Sequence, residues 1–205
     1  MKWLGNFETN YGLGRVIPEI INLHKEPSFE SPVIKVYWND SVHNITGIDL
    51  SDDVDAYNRV WYQINNEGYV YSGHIQPVFT KLNDVADNIP DGGILAEVTV
   101  PYTDARWKPD STQRVAYLFY FETTHWVIGK ETDEQNNIWY KILDDKWDLI
   151  LFPPANHLRL ITADELAPLS PSVPSREKRL EVRIADQLVV AYEYDRPVFS
   201  AKTAT

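Results

Sequence analysis

The sequence predicts a mainly β chain built from two copies of a small barrel or sandwich, and three observations lead there. Thirteen prolines and nine glycines divide the 205 residues into short runs, few of which have room for an ordinary helix. Those runs are rich in Val, Ile, Tyr, Phe and Trp, the residues that fit a pleated surface best. The chain also repeats itself. Trp61-Tyr62-Gln63-Ile64 recurs as Trp139-Tyr140-Lys141-Ile142, 78 residues later, and His74-Ile75-Gln76-Pro77-Val78 is echoed by His157-Leu158-Arg159-Leu160-Ile161, 83 residues later. Val42-His43-Asn44-Ile45-Thr46-Gly47 likewise parallels His125-Trp126-Val127-Ile128-Gly129.

An N-terminal segment, 1–11, precedes the first copy, which spans 12–79 with strands at Val33–Trp38, Trp61–Ile64 and Tyr69–Tyr71. Residues 80–93 carry Asn83, Asp84, Asp87, Asn88, Pro90, Asp91 and two glycines, the composition of a linker or long turn. The second copy spans 94–161, with strands at Val115–Phe121, Trp126–Ile128 and Trp139–Ile142. A unit of this size buries only about 60% of its unfolded surface, so the two are expected to pack together. Thr162-Ala163-Asp164-Glu165-Leu166 has the chemistry of one capped turn, stopped by Pro168, within a Pro/Ser linker over 162–177. In 178–205, Leu180, Val182 and Ile184 alternate with Glu181 and Arg183 as a half-buried strand, and the apolar run Gln187–Tyr194 pairs back on it.

Composition narrows the function. With 43% hydrophobic residues the chain folds, and no stretch of 18 apolar residues exists to span a membrane. Residues 1–8 show neither a signal-peptide apolar run nor a cleavage site, so the expectation is a cytoplasmic protein or an export signal outside this sequence. Net charge is −11, and 1–175 contributes −12 of it, which argues against a phosphate backbone as partner. Zero cysteines exclude disulfides, zinc thiolates and thiol nucleophiles together.

Five histidines (His24, His43, His74, His125 and His157) carry no metal-ligand spacing, and His74 and His157 read as structural residues closing each copy. Asp49, Asp52, Asp53 and Asp55 lack the Gly and terminal Glu of a calcium loop and read as a solvated loop, as does Asp144–Asp148. Pro171-Ser172-Val173-Pro174-Ser175-Arg176 fits a Pro-x-x-Pro-x-Arg ligand but reads as a stiff spacer. No cofactor is implied. Seven Trp and twelve Tyr either fill small cores or line a groove for peptide or glycan. Alternation places Tyr62/Ile64 and Tyr140/Ile142 on the core face, leaving Trp61 and Trp139 on the other; these two, with Trp126 and Tyr37, are the candidate peptide-binding aromatics.

Lys178–Glu193, with its Gln187-Leu188 step into an aromatic-containing strand, resembles the opening hairpin of L,D-transpeptidase catalytic domains of the YkuD type. Lys202-Thr203-Ala204-Thr205 matches the start of that family's next, Ser/Thr-rich strand. Upstream, the Trp-Tyr-x-Ile strands, Glu67-Gly68-Tyr69-Val70 and the His74-Ile75 and His157-Leu158 steps resemble the tandem bacterial SH3-like domains that some of these enzymes carry. The resemblance implies two SH3-like β-barrels followed by the truncated start of a catalytic domain. It also implies peptidoglycan stem peptides as substrate and a place in the cell envelope. Such enzymes use a Cys in a Ser-His-Gly-Cys motif below an upstream His-Gly, and the thiolate forms a thioester that a second amine resolves. This sequence has no Cys and no His-Gly, so as this chain it is expected to be inactive. The alternative is an adaptor whose SH3-like units bind cell-wall peptide without catalysis.

Overall fold

In a computed structural model, residues 12–203 are described, and the chain divides into two compact units, Met1–Ile161 and Thr162–Thr205. The segment 1–11 and the residues Ala204–Thr205 lie outside the described residues. Strands dominate. Among the described residues the helical segments are three single 3-10 turns, Ser72–His74, Ala155–His157 and Ser175–Glu177. No helix is long and apolar enough to cross a membrane.

The first half of the larger unit forms one seven-stranded sheet. Its strands are β1 (Leu13–Val16), β2 (Ile20–His24), β3 (Val33–Trp38), β4 (Val42–Leu50), β5 (Val60–Ile64), β6 (Gly68–Tyr71) and β7 (Ile75–Val78), in the order β3-β2-β6-β5-β4-β1-β7. The second half repeats them as β8 (Ile94–Val98), β9 (Tyr102–Arg106), β10 (Val115–Tyr120), β11 (Thr124–Thr132), β12 (Ile138–Asp144), β13 (Leu149–Leu151) and β14 (Leu158–Leu160). Here β10-β9 stand apart from the sheet β13-β12-β11-β8-β14. The difference is one of degree. In the first half β2 and β6 meet through the single pair His24↔Tyr69, and in the second the corresponding contact is the single bridge Arg106↔Phe152. Each half therefore has seven strands where the repeat suggested five, and among the described residues no sheet closes on itself into the barrel that the sequence suggested.

The duplication extends to hydrogen bonds. Asp40, at φ 60, donates its N–H to Val16 O while the Val16 N–H donates to Ser41 O; Glu122, at φ 63, donates to Val98 O while Val98 donates to Thr123 O. The Ser41 and Thr123 hydroxyls both donate to the carbonyl three residues back, at 2.6 Å. The β4–β5 and β11–β12 pairs share a register shift at the same place, between Ile45 and Gly47 and between Val127 and Gly129. All these second-half residues lie 82 positions after their counterparts. A β4–β5 loop four residues longer than the β11–β12 loop reduces the offset to the 78 of Trp61/Trp139, and a longer β12–β13 hairpin raises it to the 83 of His74/His157.

Each half has its own core. In the first, Val16, Leu23, Tyr37, Ile64, Val70 and Ile75 pack together; in the second, Val98, Phe119, Val127, Tyr140, Ile142 and Leu158 do so. The polar stretch 80–93 is a strap on the second core rather than a free linker. Val85 and Ile89 pack on that core, the Ala86 N–H donates to the Tyr140 hydroxyl at 3.1 Å, and Asn83 Nδ2 donates to Thr99 Oγ1 at 2.7 Å.

The halves are joined by a polar latch and an aromatic pair. The Asp40 carboxylate accepts from Arg15 on one oxygen and from the Tyr120 hydroxyl, at 3.1 Å, on the other. The Arg15 guanidinium lies 4.3 Å over the Tyr120 ring and also donates twice to Gln76 Oε1. Phe79 meets Phe121 edge-on at 4.7 Å.

In the smaller unit, Thr162–Ala167 is a single capped turn in which Glu165 Oε1 accepts from the Thr162 N–H at 3.0 Å. The strands β15 (Lys178–Arg183), β16 (Leu188–Glu193) and β17 (Arg196–Lys202) form an antiparallel sheet in that order. The register aligns Leu180 with Ala191 and Phe199, and Val182 with Val189 and Ala201, so one face is wholly apolar. On the other face Glu181 pairs with both Arg179 and Arg183, and Arg179 stacks on Tyr192 at 3.9 Å. The apolar face is open: Leu180 is 72% exposed and Phe199 60%.

Removing the latch carboxylate strands the little-exposed Arg15 and, in the Ala variant, adds the cost of a left-handed backbone without a side chain that tolerates it. Asp40→Ala is expected to lower unfolding free energy by about 3 kcal/mol and Asp40→Asn by about half of that. Urea titration at neutral pH reads both, and equal losses for the two variants would show that the ion pair alone matters.

Candidate functional site

A concave surface in the first half lies over Trp61, between the 25–31 loop and the 51–58 loop. Trp61 is set on β5 by alternation: Tyr62 and Ile64 pack on the first core, and the indole takes the opposite face. It is not bare, however. Phe29 leans on it edge-to-face at 4.8 Å, His24 at 5.6 Å and Tyr71 at 5.9 Å, leaving Trp61 only 1% exposed. Phe29 itself is 60% exposed and forms the outer wall. The strand β6 comes this close to β2 because residue 68 is glycine; a Cβ there would sit 2.5 Å from the His24 carbonyl oxygen.

Two adjoining hollows share Phe29 and Trp61. One, of about 170 Å³, is bounded by His24, Tyr71, His74 and Asn22. The other, of about 570 Å³, is bounded by Glu26, Glu30, Asp52, Asp53 and Asn58. Neither wall contains a lysine or arginine. Arg59, the nearest in sequence to the acidic loop, is turned onto the Ser51 carbonyl, to which it donates twice, at 2.9 and 2.6 Å. The 25–31 loop is held by the Glu26 N–H donating to Ser31 Oγ at 2.9 Å and by His24 Nδ1, which lies 2.9 Å from Ser31 O. That contact fixes the Nδ1–H tautomer of His24 and leaves Nε2 as an acceptor with no partner of its own among the described residues.

The other aromatics read from the sequence have different fates. Tyr37 is a core residue, 5% exposed, stacked on His43 at 3.8 Å with its hydroxyl donating to Glu67; its ring offers no free face. Trp139 is also buried, 4% exposed, at the edge of a hollow of about 360 Å³ that Val85 and Pro154 line with it, and its indole N–H donates to Asp133 Oδ2 at 3.0 Å. Trp126 is 41% exposed and borders a separate hollow with Leu95, Leu143 and Asp144. So the four do not form one groove. Phe29, His24, Tyr71 and His74 were not legible as neighbours of Trp61; a lone Phe in a loop of Glu, Pro and Ser was the available signal.

The remaining histidines are structural. His125 stacks on Phe119 at 3.6 Å, as His43 does on Tyr37, and its Nε2 is 2.9 Å from Thr123 Oγ1. Burial lowers its pKa to about 4. His157 lies 2.7 Å from Thr103 Oγ1 and burial lowers its pKa as well. Among the described residues no three His, Asp or Glu side chains are grouped to hold a metal ion.

No family model matches the chain, and no curated protein matches it. Among solved structures it is similar to the structure of NlpC2 from Trichomonas vaginalis, at 8% identity and a TM-score of 0.26 over 78% of this chain. The chain spans about half of that protein (52%).

A histidine held neutral by its surroundings makes the fold sensitive to acid. The unfolded chain takes up a proton at His125 near pH 6.5 and the folded one only near 4, so stability is full above pH 6.5 and falls through that window. Discounted for its partial exposure, the loss is about 2 kcal/mol. Thermal melts of the native chain and His125→Gln between pH 7.5 and 4 should converge as the pH falls; parallel curves would show that His125 carries none of the dependence.

Proposed function

We propose that this chain is the non-catalytic N-terminal region of a peptidoglycan L,D-transpeptidase, two SH3-like domains and the first strands of a YkuD-type catalytic domain. The observation that carries the reading is the sheet β15-β16-β17. Its strands fall on the residues that resemble the family's opening hairpin, and its face of Leu180, Val182, Val189, Ala191 and Phe199 is apolar and open. Leaving Leu180, Val182, Ile184 and Phe199 in water forgoes up to about 1.5–3 kcal/mol for each side chain. A sheet patterned this way is one face of a layered domain whose other layer is supplied from elsewhere. The turns that the two halves share and their terminal His-Ile and His-Leu steps support the tandem SH3-like assignment. Without Cys the chain forms no thioester, and the cross-linking reaction, acyl transfer from a stem peptide to a second amine, belongs to the complete enzyme.

The decisive experiment is the reading frame past codon 205. An in-frame continuation encoding His-Gly and then Ser-His-Gly-Cys is expected; a natural stop with no such motif downstream would overturn the assignment. The face gives a second measurement. In this chain Leu180→Asp and Phe199→Asp should reduce self-association in sedimentation experiments and leave the melting temperature unchanged. In the complete enzyme the same substitutions should cost about 2–3 kcal/mol each.

A further inference from the structure

We propose that the cleft over Trp61 is a peptide-recognition site that takes a primary ammonium group together with a neighbouring amide carbonyl. This rests on the cleft alone and stands whether or not the chain belongs to a transpeptidase.

The argument starts from the two equivalent tryptophans. In the second half the Trp139 indole N–H is satisfied by the Asp133 carboxylate at 3.0 Å. In the first half, where the β4–β5 loop is longer and follows a different path, the Trp61 N–H has no acceptor among the described residues, although the residue is 1% exposed. A buried donor without a partner is costly, about 1–3 kcal/mol when no water reaches it. No fully enclosed side-chain nitrogen or oxygen among the described residues lacks a partner, so the small exposed part of Trp61, a residue that lines both hollows, includes this N–H. His24 repeats the pattern: 6% exposed, Nδ1 committed to Ser31, Nε2 open to the same hollow. His74 differs from its counterpart in the same sense. His157 is bonded to Thr103, whereas the corresponding residue beside His74 is Ile21, and neither His74 ring nitrogen has a hydrogen bond among the described residues.

These groups define a ligand by complement. The indole N–H needs an acceptor, but the rim of Glu26, Glu30, Asp52 and Asp53 repels a carboxylate or phosphate, so the acceptor is a neutral carbonyl. The imidazole lone pairs and the four carboxylates can take further donors, since among the described residues only the Asp55 N–H, to Asp53 Oδ1, supplies one, and no lysine or arginine lines the walls. The exposed Phe29 ring adds a π face for a cation. A peptide bearing a primary ammonium meets all three demands. The ammonium can come from the peptide's N-terminus or from a lysine-type side chain.

The test is titration of the full chain, ¹⁵N-labelled, with three probes: Ala-Ala-Ala-amide, acetyl-Ala-Lys-Ala-amide and the uncharged acetyl-Ala-Ala-Ala-amide. The Trp61 indole resonance is assigned as the one missing from Trp61→Phe. At least one ammonium peptide is expected to shift that resonance saturably, with a Kd on the order of 1 mM, and the uncharged peptide to bind at least tenfold more weakly. Which ammonium peptide binds distinguishes the two sources. Glu30→Gln/Asp53→Asn and Phe29→Ala alter exposed loop positions and should each weaken binding about tenfold, with the remaining indole resonances in place as a check on folding. Absence of a saturable shift with both ammonium peptides at 20-fold the expected Kd, or equal binding of the uncharged peptide, would overturn the proposal.

Discussion

Everything in the larger unit depends on a turn in which one residue takes a left-handed backbone so that the end of a strand can be gripped from both sides. At Asp40, and again at Glu122, positive φ turns the N–H toward the carbonyl of the first strand's last residue, Val16 or Val98. The next residue's carbonyl receives that same residue's N–H. The grip fixes where β1 ends and β4 begins, and therefore which side chains of each face inward. Val16 and Val98 are wholly buried as a result. In the first half the gripping residue is also the one whose side chain reaches across to Tyr120, so the closure of one half and its attachment to the other share an atom group.

Much of this could be read in the sequence because alternation and composition are local. The eight strands named in advance are all present, and the capped turn at Thr162 forms, with the Glu165 carboxylate accepting the Thr162 N–H. The remainder depended on tertiary contacts. The 80–93 stretch looked like a linker because it is polar, yet two apolar side chains and one amide suffice to bind it to the second core. Leu13–Val16, Leu149–Leu151 and Leu158–Leu160 went unread because strands this short give periodicity too little to register. The side of the sheet that Trp61 occupies followed from alternation. What covers it did not, since Phe29 arrives from a loop that has no period at all.

The two halves show how one framework carries two outcomes. Where the second half places Asp133 on its tryptophan and Thr103 on its histidine, the equivalent polar atoms are internally satisfied. Where the first half has a longer loop and Ile21, the same ring types are left with open valences. The hydrogen-bonded skeleton is unchanged between them. Loop length and a single apolar replacement separate a tryptophan whose N–H is bonded internally from one whose N–H is not.

Tandem copies of one topology carry a hazard during folding, because a strand of one copy can enter the sheet of the other. Every strand here has a counterpart with matching hydrogen-bond geometry, and an exchange of β1 for β8 would satisfy the backbone. The side chains discriminate. Gly14 leaves room for Ile75, whose methyl would lie 2.5 Å from any Cβ placed there, whereas the equivalent residue of the second copy, 82 positions on, is Ala96 on a strand without glycine. Arg15 finds Asp40 and Gln76 only in its own copy. The unlike residues on like strands thus act as sorting labels, and they give each copy a reason to fold with itself before the latch joins them.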